Sequence, residues 1–391
     1  MTRPLKDLLV IDLSRALAGP YAAMMLADMG ARVIKVESPV GDDSRGWGPP
    51  FVGPDEQPIS TYFLSANRNK ESIVLDLKSE PGRATLTEMI SRADVLIENF
   101  RTGVLARLGF DEERLKELNP GLVTLSITGF GHDGPEAMRP GFDQIAQGEG
   151  GLMSLTGPPG EPTRFGLPIT DLLAGMFGAY GVMAQLHERS ETGIGGIVRT
   201  SLLAAAVGVH SYQGTQWTVA GEVATGTGNH HPSIAPYGLF ATGDTPIQVA
   251  VGNDSQWSAV CEVLDLPADE RFATNASRVA HREELIHAIE DKLALRNAGE
   301  WLEELSERGV PAGKVRTLDE VYSWEQTLSQ GLLVDIEHPV LGPISIPGPP
   351  IRLGDAAYAG GRASHLPPPL LGEHTEQLVR EFGPPDDRDG E

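Results

Sequence analysis

The sequence predicts an α/β protein: a large domain built on a doubly wound, Rossmann-like parallel sheet, with a smaller α+β domain. Three observations predict it. Apolar runs of strand length alternate with helical stretches over residues 1–130, the pattern of a parallel sheet covered on both faces. A polar, glycine-rich break at 225–233 separates that region from a hairpin followed by helices. The chain also has 391 residues, 40% of them hydrophobic, more than one simple core accommodates.

The elements follow in order. Residues 8–13 form the first strand, which Ala18-Gly19-Pro20 breaks. Residues 21–29 are helical and stop at Gly30. Further strands are expected at 31–37, 72–77, 94–100 and 122–127, the last of the sheet, with a helix at 85–93. No Gly-x-Gly-x-x-Gly follows the first strand, so the dinucleotide fingerprint is missing. Residues 171–219 read as mostly helical. Residues 237–251 read as an antiparallel hairpin, and 256–264, 282–295 and 298–308 as helices. Strand character returns at 334–346, and 371–382 closes with a helix. The large domain is therefore expected at 1–221 and 323–391, the small one at 222–322.

Composition narrows the function. Formal charge is −23, from 54 acidic and 31 basic residues. With no Lys/Arg cluster, this excludes a nucleic-acid binder. An anionic ligand would need local basic residues. The single cysteine, Cys261, rules out an intramolecular disulfide and fits a reducing cytoplasm. Its helical spacing predicts a buried core thiol. No apolar run reaches the roughly 18 residues of a membrane span. Residues 1–7 lead straight into a strand rather than reading as a signal peptide, and 384–391 read as a solvated tail.

One carboxylate stands out. Asp171 heads a run to about 186 that is almost free of charge. It is either an N-cap, accepting free backbone N–H groups, or a carboxylate nucleophile walled from water. The positive end of the helix dipole favours its ionised form in both readings.

Several stretches together resemble the class III (CaiB/BaiF-type) CoA-transferases, which include formyl-CoA:oxalate and carnitine CoA-transferases. They are 10–20, 26–37, 67–78, 93–109, 228–240 and 252–257, and their order covers nearly the whole chain. The resemblance implies that Asp171 is the nucleophile. It attacks an acyl-CoA thioester, and CoA passes to an acceptor acid through anhydride and aspartyl-CoA intermediates. A carboxylate suits this because it is ionised at pH 7 without a base. Coenzyme A enters as substrate, with no tightly bound cofactor, and an interlocked homodimer is implied.

By the same resemblance Arg107 contacts CoA phosphates, and Asn99, Phe100 and Arg101 line the nucleotide site. Arg suits phosphate because its fork donates two hydrogen bonds. Leu17, Ala18, Leu75, Asp76, Leu77 and Lys78 also fall on CoA-contacting stretches. Lys35 reads as an edge charge on a strand. Gly226, Gly228, Asn229 and His230 fall where the family has a mobile loop over the active site; on composition alone this stretch is equally an interdomain linker. His230 and His231 lack a third ligand, so no metal is expected; one of them is read as a partner for a substrate carboxylate. Gly141, Phe142 and Asp143 line the thioester pocket. Related α-methylacyl-CoA racemases have a histidine where this chain has Phe142, and two-faced proton exchange needs that second group. Racemase or epimerase, and a CoA-binding protein without turnover, are the alternatives. Arg199 and Ala204 depart from the family pattern, where aspartates are common.

Overall fold

Val, Ile and Leu dominate the runs that become strands, because strands covered on both faces have no wet side to alternate with. The computed structural model describes residues 3–354 and 360–383. Six strands, Leu9–Asp12, Arg32–Glu37, Lys70–Val74, Val95–Glu98, Val123–Thr128 and Gly196–Ser201, form one parallel sheet. Across the sheet, counted in chain order, they run third, second, first, fourth, fifth, sixth. That is the order of doubly wound nucleotide-binding sheets, with its reversal between the first and fourth strands. The sixth strand was not expected. Gly196-Ile-Val-Arg-Thr-Ser201 is half polar and follows a long helix, so its apolar signal is weak.

Successive side chains go to opposite faces. Val10, Val33, Ile97 and Leu125 pack under the helices Ala18–Asp28 and Ile169–Thr192. Ile11, Ile34, Ile73 and Leu96 pack on the other face, under Glu80–Arg92 and Thr375–Phe382. The 24-residue helix Ile169–Thr192 positions the candidate nucleophile. It lies so close to Ala18–Asp28 that a Cβ on Gly175 would sit 2.6 Å from the Ala18 carbonyl oxygen. Its core stripe is Ala174, Gly175, Gly178, Ala179, Val182 and Leu186, yet Met176, Phe177, Tyr180 and Met183 are exposed on the same helix. By length and composition Ile169–Thr192 is long and apolar enough to cross a membrane, a test that the core helix of a globular protein also passes.

The chain divides into two units. One comprises Met1–Leu152, Phe165–Thr215 and Trp324–Glu391, and the other Met153–Arg164 and Gln216–Ser323. The first also carries the hairpin Leu333–His338 and Gly342–Pro347. In the second, Tyr237–Phe240 pairs antiparallel with Ile247–Ala250, which pairs with Ala312–Lys314. The helices Asp254–Leu264, Arg282–Leu293 and Ala298–Glu307 close this unit's own core around Phe240, Ile247, Leu285 and Trp301. Cys261 is half-buried rather than a core thiol, because its helix turns Val260 and Leu264 inward instead.

Candidate active site

Parallel sheets bind ligands where the strand order reverses, beyond the carboxyl ends. Here the loops after the first and fourth strands diverge, and Asn99 ties them together. Its Oδ1 accepts from the Arg15 N–H at 2.8 Å and its Nδ2 donates to the Arg15 carbonyl at 2.7 Å. Buried ions hold the same loop from below. Lys35 is fully buried, donates to the Ser14 carbonyl at 2.9 Å and pairs with Asp42 at 2.8 Å. This corrects the edge-charge reading: its strand is interior, so the ammonium needs buried partners. Asp42 in turn accepts from the Ala16 N–H, holding that residue at a left-handed φ of 65°. Lys70, also buried, donates to Asp12 at 2.9 Å, and burial pulls its pKa down to about 8.

A cavity of about 660 Å³ opens at this point. Leu17, Ala18, Asn99, Phe100, Arg101, Gly141, Phe142, Asp143 and Asp171 all line it, as do Arg15, Trp47, Tyr62 and Arg139. A smaller cavity of about 250 Å³ shares Arg15 and Phe100 with it and adds Leu75, Asp76, Leu77 and Lys78. Arg107 lines neither of these two cavities; it ends the short helix Val104–Arg107 and is exposed.

Asp171 is the third residue of its helix, and the N-cap is Pro168, with no side-chain cap. The cap reading is therefore excluded by position. The charge at the helix entrance comes from Asp143. One of its oxygens accepts from Thr170 N and Thr170 Oγ1, both at 2.8 Å, and the other accepts from Gln147 Nε2 at 2.8 Å. Asp171 itself is partly buried beside that carboxylate. Burial first, and the Asp143 charge second, push its pKa up to about 7. The helix dipole favours the anion by only about 0.3–1 kcal/mol, which moves a pKa by less than one, so it does not win. The expectation of a fully ionised nucleophile at pH 7 is corrected accordingly.

Sequence reasoning missed Arg15, Trp47 and Tyr62, which no local pattern marks. The rings of Trp47 and Tyr62 meet edge to face at 4.9 Å. Burial and the charges of Asp171, Asp143 and Asp42 push the Tyr62 hydroxyl up to about 12, so it stays a donor. Arg15 lies 5.9 Å over the Phe100 ring and 3.4 Å from Asp43.

The sequence profile of CoA-transferase family III matches residues 5–375. The chain belongs to that family. It is 39% identical to the human succinyl-CoA:glutarate CoA-transferase, over 99% of this chain and 87% of that protein. It is 38% identical to the acetyl-CoA:oxalate CoA-transferase of Acetobacter aceti, over 98% of this chain and 97% of that one. A crystal structure of a CaiB/BaiF family protein from Brucella suis superposes with a TM-score of 0.87 at 38% identity, covering 97% of this chain and 99% of that one.

The other expected residues of this CoA-transferase lie in its second unit. Gly226 N–H donates to Ser154 and Gly228 N–H to Gly157, both at backbone carbonyls. Gly228 takes φ +63°, and a Cβ on Gly226 would meet the Gly157 oxygen at 2.5 Å; both positions require glycine. Gly228, Asn229, His230 and His231 line a separate cavity of about 620 Å³ in that unit. Burial and Arg282 hold the His230 imidazole below its ordinary pKa. Among the described residues no three His, Cys, Asp or Glu side chains converge as a metal site would require. Of the two departures from the family pattern, Arg199 pairs with Glu112, and the Ala204 N–H donates to Ser201 Oγ at 3.0 Å, capping the next helix.

Proposed function

We propose that this CoA-transferase moves CoA from an acyl-CoA to a dicarboxylic acid, with Asp171 as the nucleophile. One observation carries the reading: Asp171 is a carboxylate in a cavity wall to which no hydrogen-bond donor among the described residues is committed. A structural carboxylate in such surroundings would be paired. The ionised oxygen attacks the thioester carbon, the C–S bond breaks, and CoA thiolate leaves an acyl-aspartyl anhydride. The thiolate then attacks the aspartyl carbon, expelling the donor acid and leaving aspartyl-CoA. The acceptor carboxylate attacks the same carbon, displacing the thiolate and forming a second anhydride. The thiolate takes the acceptor's acyl carbon and Asp171 departs as a carboxylate. The Tyr62 hydroxyl and the Ala18 N–H, at the start of a helix with no side-chain cap, are the donors offered to each developing oxyanion.

The two cavities have Arg15 and Phe100 in common, which suits a ligand with two ends such as CoA. The smaller would take the nucleotide, with Lys78 and Arg15 near its phosphates. The larger would take the thioester. The relatives' names carry glutarate and oxalate, both diacids. Arg139 offers a diacid's second carboxylate a cation in the same cavity, 4.6 Å over Phe130 and 2.6 Å from Glu149. Arg139→Ala is expected to raise the acceptor KM for a diacid by about tenfold, a charge-assisted bond's worth, and to leave a monoacid unchanged; equal changes for both would reject this role. Phe142 in place of a histidine supports transferase over racemase. The exposed apolar stripe Met176, Phe177, Tyr180 and Met183 supports a homodimer that covers it.

The decisive experiment is mass spectrometry after incubation with a panel of acyl-CoAs and hydroxylamine. A hydroxamate or CoA adduct on the Asp171 peptide, absent from Asp171→Ala, is expected. An adduct elsewhere, or one that survives the substitution, would sink the assignment.

A further inference from the structure

A second carboxyl, which the transfer chemistry does not use, lies behind the cavity wall. Glu98 ends the fourth strand and is buried. In register with it are Ser126 on the fifth strand and then Arg199 on the sixth, one row across three strands. Ser126 Oγ donates to one oxygen of Glu98. The Phe100 N–H donates to the other at 2.8 Å. His132 Nε2 lies 2.8 Å from Ser126 Oγ, so a chain of hydrogen bonds runs from Glu98 to a half-buried imidazole. Among the described residues no cation pairs with Glu98. Around His132 stand Arg199 from the sixth strand, Glu112 from the helix Glu112–Leu118, and Asp133 on its own loop.

The consequence falls on residues 99–102. These follow Glu98 directly and form one wall of the larger cavity, with Phe100 shared by both cavities. Asn99 fastens the wall to Arg15, and Thr102 Oγ1 donates to the Ala137 carbonyl at 2.9 Å. The Phe100 N–H bond to Glu98 sets the angle at which the wall leaves the strand it follows.

We propose that Glu98 is a positioning residue for this wall, and that Ser126 and His132 tie its protonation to solvent. With His132 doubly protonated and Glu98 ionised, Ser126 accepts from Nε2–H and donates to the carboxylate. If the Nε2 proton passes to Ser126 while the Ser126 proton passes to Glu98, both ends become neutral and the imidazole keeps its Nδ1 proton. No proton is gained or lost in that exchange. The Phe100 N–H then bonds a neutral carbonyl instead of a carboxylate, and a charge-assisted bond is roughly twice as strong as a neutral one. Burial without a cation favours the neutral carboxyl; the pKa of Glu98 is raised for that reason. Acidification therefore loosens the wall and weakens CoA binding.

This inference rests on CoA occupying the cavity, so the test separates the two. CoA affinity is measured by calorimetry on the full-length Asp171→Asn protein, which removes the nucleophile's own titration. The same is done with Glu98→Gln added, from about pH 5 to about pH 8. The glutamine amide donates to Ser126 and its carbonyl accepts from Phe100, so it reproduces the neutral state and keeps the fold. At the alkaline end of the range Glu98→Gln is expected to weaken CoA binding roughly three- to tenfold, the size of one weakened hydrogen bond. The two proteins converge as the pH falls, and His132→Gln shifts the pH of convergence. A ratio between the two proteins that stays constant with pH would overturn the proposal. CoA failing to bind either protein at any pH would overturn the cavity reading beneath it.

Discussion

Asp171→Asn is expected to lower kcat by at least about 10³-fold, since the covalent route disappears, and at the same time to make the protein more stable above neutrality. The second effect follows from the sign of the pKa shift. The carboxyl's pKa rises from the ordinary 3.8 to about 7 in the fold. The folded chain thus holds the proton longer than the unfolded one, and stability is lost as the pH rises from about 4 through 7. Above pH 7 the wild type carries a charge that burial and Asp143 disfavour, and the amide does not. Thermal unfolding at pH 8 should show Asp171→Asn melting a few degrees above wild type, with the gap closing toward pH 4. A variant less stable than wild type at pH 8 would mean that the ionised Asp171 is satisfied by its surroundings. In the wild type, kcat should rise with pH and level off above about 7, because only the ionised form attacks.

Asp143 carries the second large effect, through two separable routes. Asp143→Ala leaves the buried Thr170 N–H without its acceptor and its hydroxyl with only the backbone carbonyl of residue 143, at 3.4 Å, a cost of about 1–3 kcal/mol. The helix entrance then shifts the nucleophile, and displacements of this kind cost up to about 10²-fold in rate. Asp143→Asn keeps an oxygen for Thr170 but removes the charge. The midpoint of the kcat–pH profile is expected to move down, toward the ordinary carboxylate range, while the melting temperature changes less than in Asp143→Ala. A midpoint that does not move in Asp143→Asn would show that burial alone sets the pKa of Asp171.

The parts of this site that were legible are those that local pattern marks. Strands at 32–37, 95–98 and 123–128 are short segments built on Val, Ile and Leu, and Asp171 stands out because its neighbours are uncharged. Leu17, Ala18 and 99–101 follow strand ends, which is where a parallel sheet exposes its loops. What stayed hidden depends on distance in space. Asp143 was read as a pocket residue; that it holds the entrance of a helix beginning 26 residues later at Ile169 leaves no trace in spacing. Lys35 reads as a surface charge until Asp42 and the Ser14 carbonyl are found around it. Trp47 lies in a stretch rich in Gly and Pro and Tyr62 in the six-residue helix Thr61–Ala66, too short to show a periodicity, so nothing local tells an aromatic of the cavity from one of the core. The pKa of Asp171 was misjudged for a similar reason: the dipole is visible in sequence, whereas desolvation is not.

The Asn99 bridge to Arg15 has a mechanical meaning. An amide side chain carries the same donor and acceptor as a peptide unit, so Asn99 prolongs the ladder between the first and fourth strands by one rung after the strands have parted. The loops on either side of that rung cannot separate without breaking two hydrogen bonds at once. The Arg15–Asn99 corner of the larger cavity is therefore held fast. Any widening that admits a long substrate and expels its products has to come from parts of the rim other than this corner.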